Sequence, residues 1–271
     1  MKSTFSWQYQ EAELIEAAAI PIGDRGFRYG MSVFETILLH RGRSVLAAEH
    51  LDRLSRAASA AGFPLPAGLA DALEHRVAGL EESFSGMMRV YVTAGDGSPL
   101  APPAESRVYV FVEETALPSE ADRYRGWRLH VSHAPIVSVL GGWKTGNYWP
   151  HIQALGEARQ NGCDESVLLD LSGSVVSASM ANLFALIDGE LRTPPLVLGA
   201  RDGVLRAWVL NNSAACEAVV TMEDLSRATE CFLTNSRIGI LPVREIDGRE
   251  LPSQSTGRLL YDSYRENVLG S

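Results

Sequence analysis

Ser32-Val33-Phe34-Glu35-Thr36-Ile37-Leu38-Leu39-His40 is followed by the turn Arg41-Gly42-Arg43, and then by Leu46, Leu51, Leu54, Ala57, Ala58 and Ala61 at wider spacing. The opening run is rich in β-branched and aromatic side chains, which suits a strand, and the turn leads to a short partner around Val45. From Leu46 the apolar residues fall at helical intervals, and Gly62 stands where a helix-ending glycine belongs. A strand, a hairpin turn and a helix in immediate succession predict an α/β chain with α+β character.

Working outward, residues 5–10 alternate as a strand, and apolar pieces over 14–22 lead to the turn-forming cluster Gly23-Asp24-Arg25-Gly26. A helix over 69–80 and strands over 86–94 and 107–113 complete the first half. Residues 116–125 are polar with no strong period and read as a linker, which divides the chain into an N-terminal domain over 1–115 and a C-terminal domain over 126–271. The second half is expected to hold strands over 127–133, 165–171 and 231–234, and a hairpin of 182–187 with 190–193 about Asp188-Gly189. Helices are expected over 148–161, 203–214 and 257–267. No low-complexity segment and no fixed-period repeat is present.

With 271 residues, 46% hydrophobic and 21% charged, the composition is that of a soluble globular protein able to build a sizeable core. A net charge of -9 argues against nucleic acid and anionic membranes as partners. Cys163, Cys216 and Cys231 are too few and too scattered for a disulfide framework or a zinc site, and they are expected to be buried reduced thiols. With no signal-peptide pattern and no long apolar run, the expected location is the cytoplasm.

The 24 basic residues include only two lysines, Lys2 and Lys144; the other 22 are arginine. Arginine cannot replace lysine where a neutral amine must act as nucleophile or proton shuttle, so Lys144, in Gly141-Gly142-Trp143-Lys144-Thr145-Gly146-Asn147-Tyr148, is the candidate for a covalent imine. A phosphate-binding loop is excluded, because Trp143 precedes the lysine and Ser138 takes the place of the first glycine. No G-x-S-x-G, G-x-G-x-x-G or H-E-x-x-H motif is present. His130 and His133, three apart on an expected strand, should point to opposite faces, which favours core or surface histidines over metal ligands, and no metal site is expected. Arg53 could clamp a phosphate, but from the residues alone a solvated helix arginine is the default reading. Asp202-Gly203-Val204-Leu205 opens a helix whose first N–H groups suit an anion, and Thr234-Asn235-Ser236 is either a second phosphate wall or an ordinary turn.

Taken together, these stretches resemble a family. Residues 24–36 with Glu49-His50-Leu51-Asp52-Arg53-Leu54, Lys144-x-x-Asn147-Tyr148, Asp164-Glu165-x-x-Leu168-Leu169-Asp170, Ala181-Asn182-Leu183-Phe184 and Thr193-Pro194-Pro195 are similar to the class IV aminotransferases, the fold-type IV pyridoxal-phosphate enzymes. The resemblance runs over essentially the whole chain. Residues 30–36 and 232–236, continuing through Leu241-Pro242-Val243, look most like the aminodeoxychorismate lyases of the family.

The resemblance implies a two-domain fold with pyridoxal 5'-phosphate at the domain interface, a homodimer, and a small-molecule amino substrate. It makes Lys144 the catalytic lysine and Arg53, Tyr148, the N–H groups of Val204 and Leu205, and Ser236 cofactor contacts. Arg89, Tyr29 and Arg237 would meet the substrate. Ser177 takes the position of a glutamate that keeps the pyridine nitrogen protonated, while Asp202 and Leu205 replace the usual Pro and Thr of the phosphate helix. A neutral ring nitrogen weakens the cofactor as an electron sink, which favours a reaction driven by aromatisation of its product over transamination. The expected activity is conversion of aminodeoxychorismate to 4-aminobenzoate and pyruvate. The alternatives are a branched-chain or D-amino-acid aminotransferase, or a catalytically impaired homologue.

Overall fold

The computed structural model describes residues 4–17, 19–103, 105–137, 140 and 142–270. Lys2, Ser138 and Gly141, used in the sequence argument, lie outside the described residues. The chain forms two compact units, Met1–Leu117 with Lys144–Asn147, and Pro118–Trp143 with Tyr148–Ser271.

In the first unit the elements run β1 (Thr4–Gln10), β2 (Glu13–Glu16), α1 (Arg25–Tyr29), β3 (Ser32–His40), β4 (Arg43–Ser44), α2 (Ala47–Ala60), α3 (Leu69–Ala78), β5 (Gly86–Thr93) and β6 (Arg107–Glu114). Among the described residues the strands form one antiparallel sheet in the order β2-β1-β6-β5-β3-β4. Val33, Ile37 and Leu39 of β3, Leu54 and Ala58 of α2, and Leu69, Leu73 and Val77 of α3 share one apolar core with Val90, Val92, Val108 and Val110. The helices therefore cover one face of the sheet, where the alternating strand residues are apolar. Gly23-Asp24-Arg25-Gly26 is a helix start rather than a free turn: the Asp24 carboxylate accepts from the Gly26 N–H at 2.7 Å and caps α1.

The second unit begins earlier than the sequence suggests. Within the segment read as a linker, α4 (Glu120–Arg125) forms behind a capping box in which Ser119 and Asp122 exchange side-chain and backbone hydrogen bonds. Arg123 is buried and donates to the carbonyls of Ile238 and Ile240, so these residues belong to the second unit. A capping box looks like aperiodic polar sequence, which explains the difference.

The unit continues with β7 (Trp127–Val131), α5 (Trp149–Gln160), β8 (Glu165–Leu169), β9 (Val175–Ala178), β10 (Asn182–Ile187), β11 (Glu190–Thr193), α6 (Val204–Asn211), β12 (Cys216–Glu217), α7 (Met222–Arg227), β13 (Glu230–Asn235), β14 (Gly239–Ile246), β15 (Arg249–Glu250) and α8 (Ser255–Tyr264). Its described strands form a mixed sheet in the order β12-β11-β10-β13-β14-β7-β8-β9, with β15 added against β14. Strand β7 is parallel to both β8 and β14. The β10–β11 hairpin turns at Asp188-Gly189, whose φ values of 52° and 86° are those of the tight hairpin turn that Asp-Gly favours. Strands β9, β12, β14 and β15 and helix α7 are absent from the sequence reading.

Two further expectations change. The cysteines are free, but Cys231 alone of the three is buried and Cys216 is exposed. Strand β7 stops at Val131, so His133 lies beyond it and folds back, and the His130 and His133 rings meet edge to face with centroids 5.4 Å apart. Strand alternation does not apply past the end of a strand, which is why the opposite-face expectation fails.

No described helix is long and apolar enough to cross a membrane.

Candidate active site

In the first unit, Lys144–Asn147 runs alongside the start of β3. The Phe34 N–H donates to the Lys144 carbonyl at 2.8 Å, the Gly146 N–H donates to the Ser32 carbonyl at 3.0 Å, and Asn147 Nδ2 donates to the Gly30 carbonyl at 3.3 Å. Two stretches far apart in sequence, 30–36 and 144–147, are therefore one object, with Val33 and Thr145 bridged in antiparallel fashion. Lys144 Nζ lies 4.3 Å from the centre of the Phe34 ring, where the ring face attracts an ammonium. Phe34 is itself stacked on Tyr91, with centroids 4.8 Å apart.

Glu35, next along β3, faces the other side of the sheet, toward α2. Its carboxylate takes both Nε and Nη2 of Arg53, at 2.6 and 2.7 Å, and accepts from His50 Nδ1 at 2.7 Å. Burial would raise the Glu35 carboxyl, but the hydrogen bond from His50 and the Arg53 charge outweigh it and hold its pKa at about 2. Arg53 is consequently a fixed, largely buried guanidinium and not a solvated helix arginine.

Of the residues expected to meet substrate, Arg89 and Tyr29 lie in the first unit and Arg237 in the second. Arg89 on β5 is paired with Glu113 of the neighbouring strand. Tyr29 ends α1, is 42% exposed, and carries the Arg28 guanidinium 4.9 Å from its ring centre. Arg237 is exposed in the turn between β13 and β14, beside Ser236. Asn235 shapes that turn, its Oδ1 accepting from the N–H groups of Arg237 and Ile238 at 2.9 Å each. Thr234-Asn235-Ser236 is thus an ordered corner at the end of β13.

In the second unit, Tyr148 caps the start of α5 and its hydroxyl accepts from Arg201 Nη1, while the Arg201 guanidinium lies 4.4 Å from its ring centre. Arg201 Nη2 also meets His151 Nε2 at 3.0 Å, and His151 Nδ1 meets the Ser179 carbonyl at 3.0 Å. A guanidinium can only donate, so Nε2 accepts, Nδ1 carries the proton and the imidazole is neutral. Helix α6 starts at Gly203 with no side-chain cap, leaving the first-turn N–H groups, those of Val204 and Leu205 among them, to an outside acceptor. A Cβ at Gly203 would meet Asn182 Oδ1 at 2.0 Å, and Asn182 Nδ2 holds the Arg201 carbonyl at 2.9 Å. Across the ladder from Asn182, the Thr234 hydroxyl is buried and makes no hydrogen bond.

These observations fit a phosphate group: an uncapped helix start, a glycine pressed against its support, an orphaned hydroxyl and an adjacent guanidinium. The amine of Lys144 fits the aldehyde of pyridoxal phosphate.

Ser177 on β9 is buried, and its hydroxyl donates to the Ala178 carbonyl at 2.9 Å. The carboxylate that β8 brings to this stretch is Glu165, which accepts from the Ser179 hydroxyl and from the Ser166 and Met180 N–H groups, the latter two at 2.8 and 3.3 Å. Burial raises the Glu165 carboxyl, and those hydrogen bonds reduce the shift without cancelling it.

Sequence reasoning missed Arg201, His151 and the positioning role of Glu35. Nothing local distinguishes Arg201 from the other arginines. Glu35 and His50 lay inside quoted motifs, but their link to Arg53 is a strand-to-helix contact.

A family model for amino-transferase class IV matches residues 32–246. The chain is 30% identical to a crystal structure of 4-amino-4-deoxychorismate lyase from Pseudomonas aeruginosa, covering 97% of this chain and 98% of that one, with a TM-score of 0.86. It is 26% identical to the branched-chain aminotransferase of Thermoproteus uzoniensis solved with norvaline, covering 98% and 95% of the two chains, with a TM-score of 0.87. It is 28% identical over 272 residues to the branched-chain-amino-acid aminotransferase of Escherichia coli, covering 91% of this chain and 86% of the relative. The matched length, the two solved folds and a lysine fixed against β3 lead to one conclusion: the chain belongs to the class IV amino-transferase family, as an enzyme whose cofactor is pyridoxal phosphate.

Proposed function

We propose that this enzyme is a lyase of the aminodeoxychorismate type, releasing pyruvate and 4-aminobenzoate, and that it works as a homodimer. The observation that carries the reading is Ser177: where the family pattern has a glutamate for the pyridine nitrogen, this chain buries a hydroxyl already committed to the Ala178 carbonyl. When bound, pyridoxal phosphate supplies an aldehyde for the substrate amine and a ring that withdraws electrons from the breaking bond. Without a carboxylate at Ser177 that withdrawal is weaker. A reaction that gains an aromatic product needs less of it than amino-group exchange does.

The roles of the chain's own groups follow. Lys144 would hold the aldehyde and would hold and move a proton at Nζ, its backbone carbonyl held by the Phe34 N–H. Arg53, locked by Glu35, and the N–H groups of Val204 and Leu205 with the Ser236 hydroxyl are the groups that would hold the phosphate. Tyr148, oriented by Arg201, would donate toward the ring oxygen. Arg89, Tyr29 and Arg237 are assigned to the substrate, whose two carboxylates suit two arginines.

Purified enzyme loaded with the cofactor should release pyruvate from aminodeoxychorismate, read through lactate dehydrogenase, faster than it exchanges the amino group of valine or D-alanine with 2-oxoglutarate. Faster exchange replaces this reading with an aminotransferase, which the similarity to the Escherichia coli enzyme favours. Light scattering should give twice the 29.4 kDa chain mass.

A further inference from the structure

We propose that His130, His133 and Glu157 bind a first-row divalent transition-metal ion, with zinc the best match to the donors. All three residues lie in the second unit, and none is assigned to the cofactor or the substrate, so the proposal stands apart from the lyase reading.

The geometry comes from two elements. His130 sits on β7, His133 two residues past its end, and Glu157 on α5. Glu157 Oε1 is 3.4 Å from His130 Nε2 and 3.9 Å from His133 Nε2, and the three ligand atoms all lie within 4.8 Å of one another. A tetrahedral zinc with bonds of about 2.0–2.1 Å sets its donors about 3.3–3.4 Å apart. The His130–Glu157 pair already has this spacing. His133, 85% exposed, can approach the other two donors by rotating its side chain.

Three further observations point to a ligand. His130 Nε2 is buried and makes no hydrogen bond, although Glu157 Oε1 is near; a metal ion between them would satisfy both. The other ring nitrogen, Nδ1, faces Asp247 Oδ1 at 3.1 Å, and that oxygen is itself fixed by the Val131 N–H at 2.9 Å. A carboxylate behind one imidazole nitrogen orients the ring and strengthens the other nitrogen as a donor, the arrangement found behind most metal-binding histidines. Glu157 is held in the same way: the Ser132 hydroxyl donates to Oε2 at 3.0 Å and leaves Oε1 turned to the histidines.

Two imidazoles and one carboxylate select zinc or a neighbouring transition metal over magnesium and calcium, which prefer all-oxygen ligands. Three protein ligands leave a fourth position, on the exposed His133 side, for water. The bound ion would tie the end of β7 to α5.

The test is calorimetric titration of the untagged, cofactor-loaded full chain with zinc chloride, repeated with magnesium chloride, together with the visible absorption of added cobalt(II). We expect one zinc per chain, a cobalt spectrum of low coordination number, and no magnesium binding. His133→Ala, at an exposed position that leaves the fold intact, and Glu157→Gln should each weaken zinc binding by about tenfold or more. Cys216→Ser, which removes the exposed thiol, should leave it unchanged. Absence of stoichiometric zinc binding, equal binding of magnesium, or zinc binding lost in Cys216→Ser but kept in His133→Ala would each overturn the site.

Discussion

Glu35 grips Arg53 with both carboxylate oxygens, at 2.6 and 2.7 Å, across the interface between β3 and α2. A buried ion pair of this kind adds little net stability over an apolar pair of the same shape, but removing one partner leaves an uncompensated charge. Its use is geometric: a two-point contact fixes the plane of the guanidinium, and so the direction of its remaining donors. The His50 hydrogen bond to the same carboxylate braces it further.

Glu35→Gln should therefore destabilise the first unit by about 3 kcal/mol and weaken cofactor binding by about tenfold, read by urea unfolding and by titration with pyridoxal phosphate. The pH dependence has a definite sign. The folded pKa of about 2 lies below the ordinary value of 4.5, so the contribution is complete above about pH 4.5 and is lost as pH falls toward 2. The loss is on the order of 3 kcal/mol. Glu35→Gln should flatten the acid limb of stability against pH; an unchanged limb would show that the pair does not govern it.

Lys144→Arg should abolish the visible absorption of the bound cofactor and all activity while leaving circular dichroism unchanged. Its carbonyl contact with the Phe34 N–H does not depend on the side chain, and guanidinium is not a nucleophile at neutral pH. Borohydride treatment of the native enzyme should attach the cofactor to the peptide containing Lys144. Label at Lys2 alone would refute the assignment.

Ser177→Glu tests the chemistry of the ring. A carboxylate within hydrogen-bond reach raises the pKa of the pyridine nitrogen by about 1–3 units, or roughly 1.4–4 kcal/mol. The half-reaction with alanine should then accelerate by about tenfold for each 1.4 kcal/mol expressed in the transition state. Glu165, bonded to the Ser179 hydroxyl two residues along, is the acid that could already serve this stretch. If it does, the substitution crowds two carboxylates and slows the half-reaction, a result that single-turnover spectra would show directly.

Glu230 on β13 caps α8 from outside the helix, accepting from the Ser255 N–H at 3.0 Å and the Thr256 N–H at 2.8 Å, and from the hydroxyls of Ser253 and Ser255. Burial opposes ionisation of Glu230, but these hydrogen bonds prevail and hold its carboxyl below the usual range. Glu230→Ala should cost about 1–3 kcal/mol in thermal or urea unfolding. The loss should be greatest at neutral pH and shrink as pH falls through the carboxylate range, where the native side chain is protonated too.

Local chemistry wrote much of this protein into its sequence. The strand at 32–40, the helix that follows it and the Asp188-Gly189 hairpin are set by residue type and period, which neighbours in the chain decide among themselves. The isolation of Lys144 among arginines identified a candidate catalytic amine before any fold was known. Sequence could not supply the partners. Glu35 meets Arg53 because β3 packs on α2, Arg201 meets Tyr148 because the start of α6 lies against that of α5, and His133 meets His130 because β7 ends two residues before it. Helix α4 was hidden because a capping box satisfies a helix end with polar residues that otherwise read as a linker. Each of these depends on where the backbone turns and what it packs against, and that is fixed by burial of the apolar faces of both sheets rather than by any stretch of chain alone.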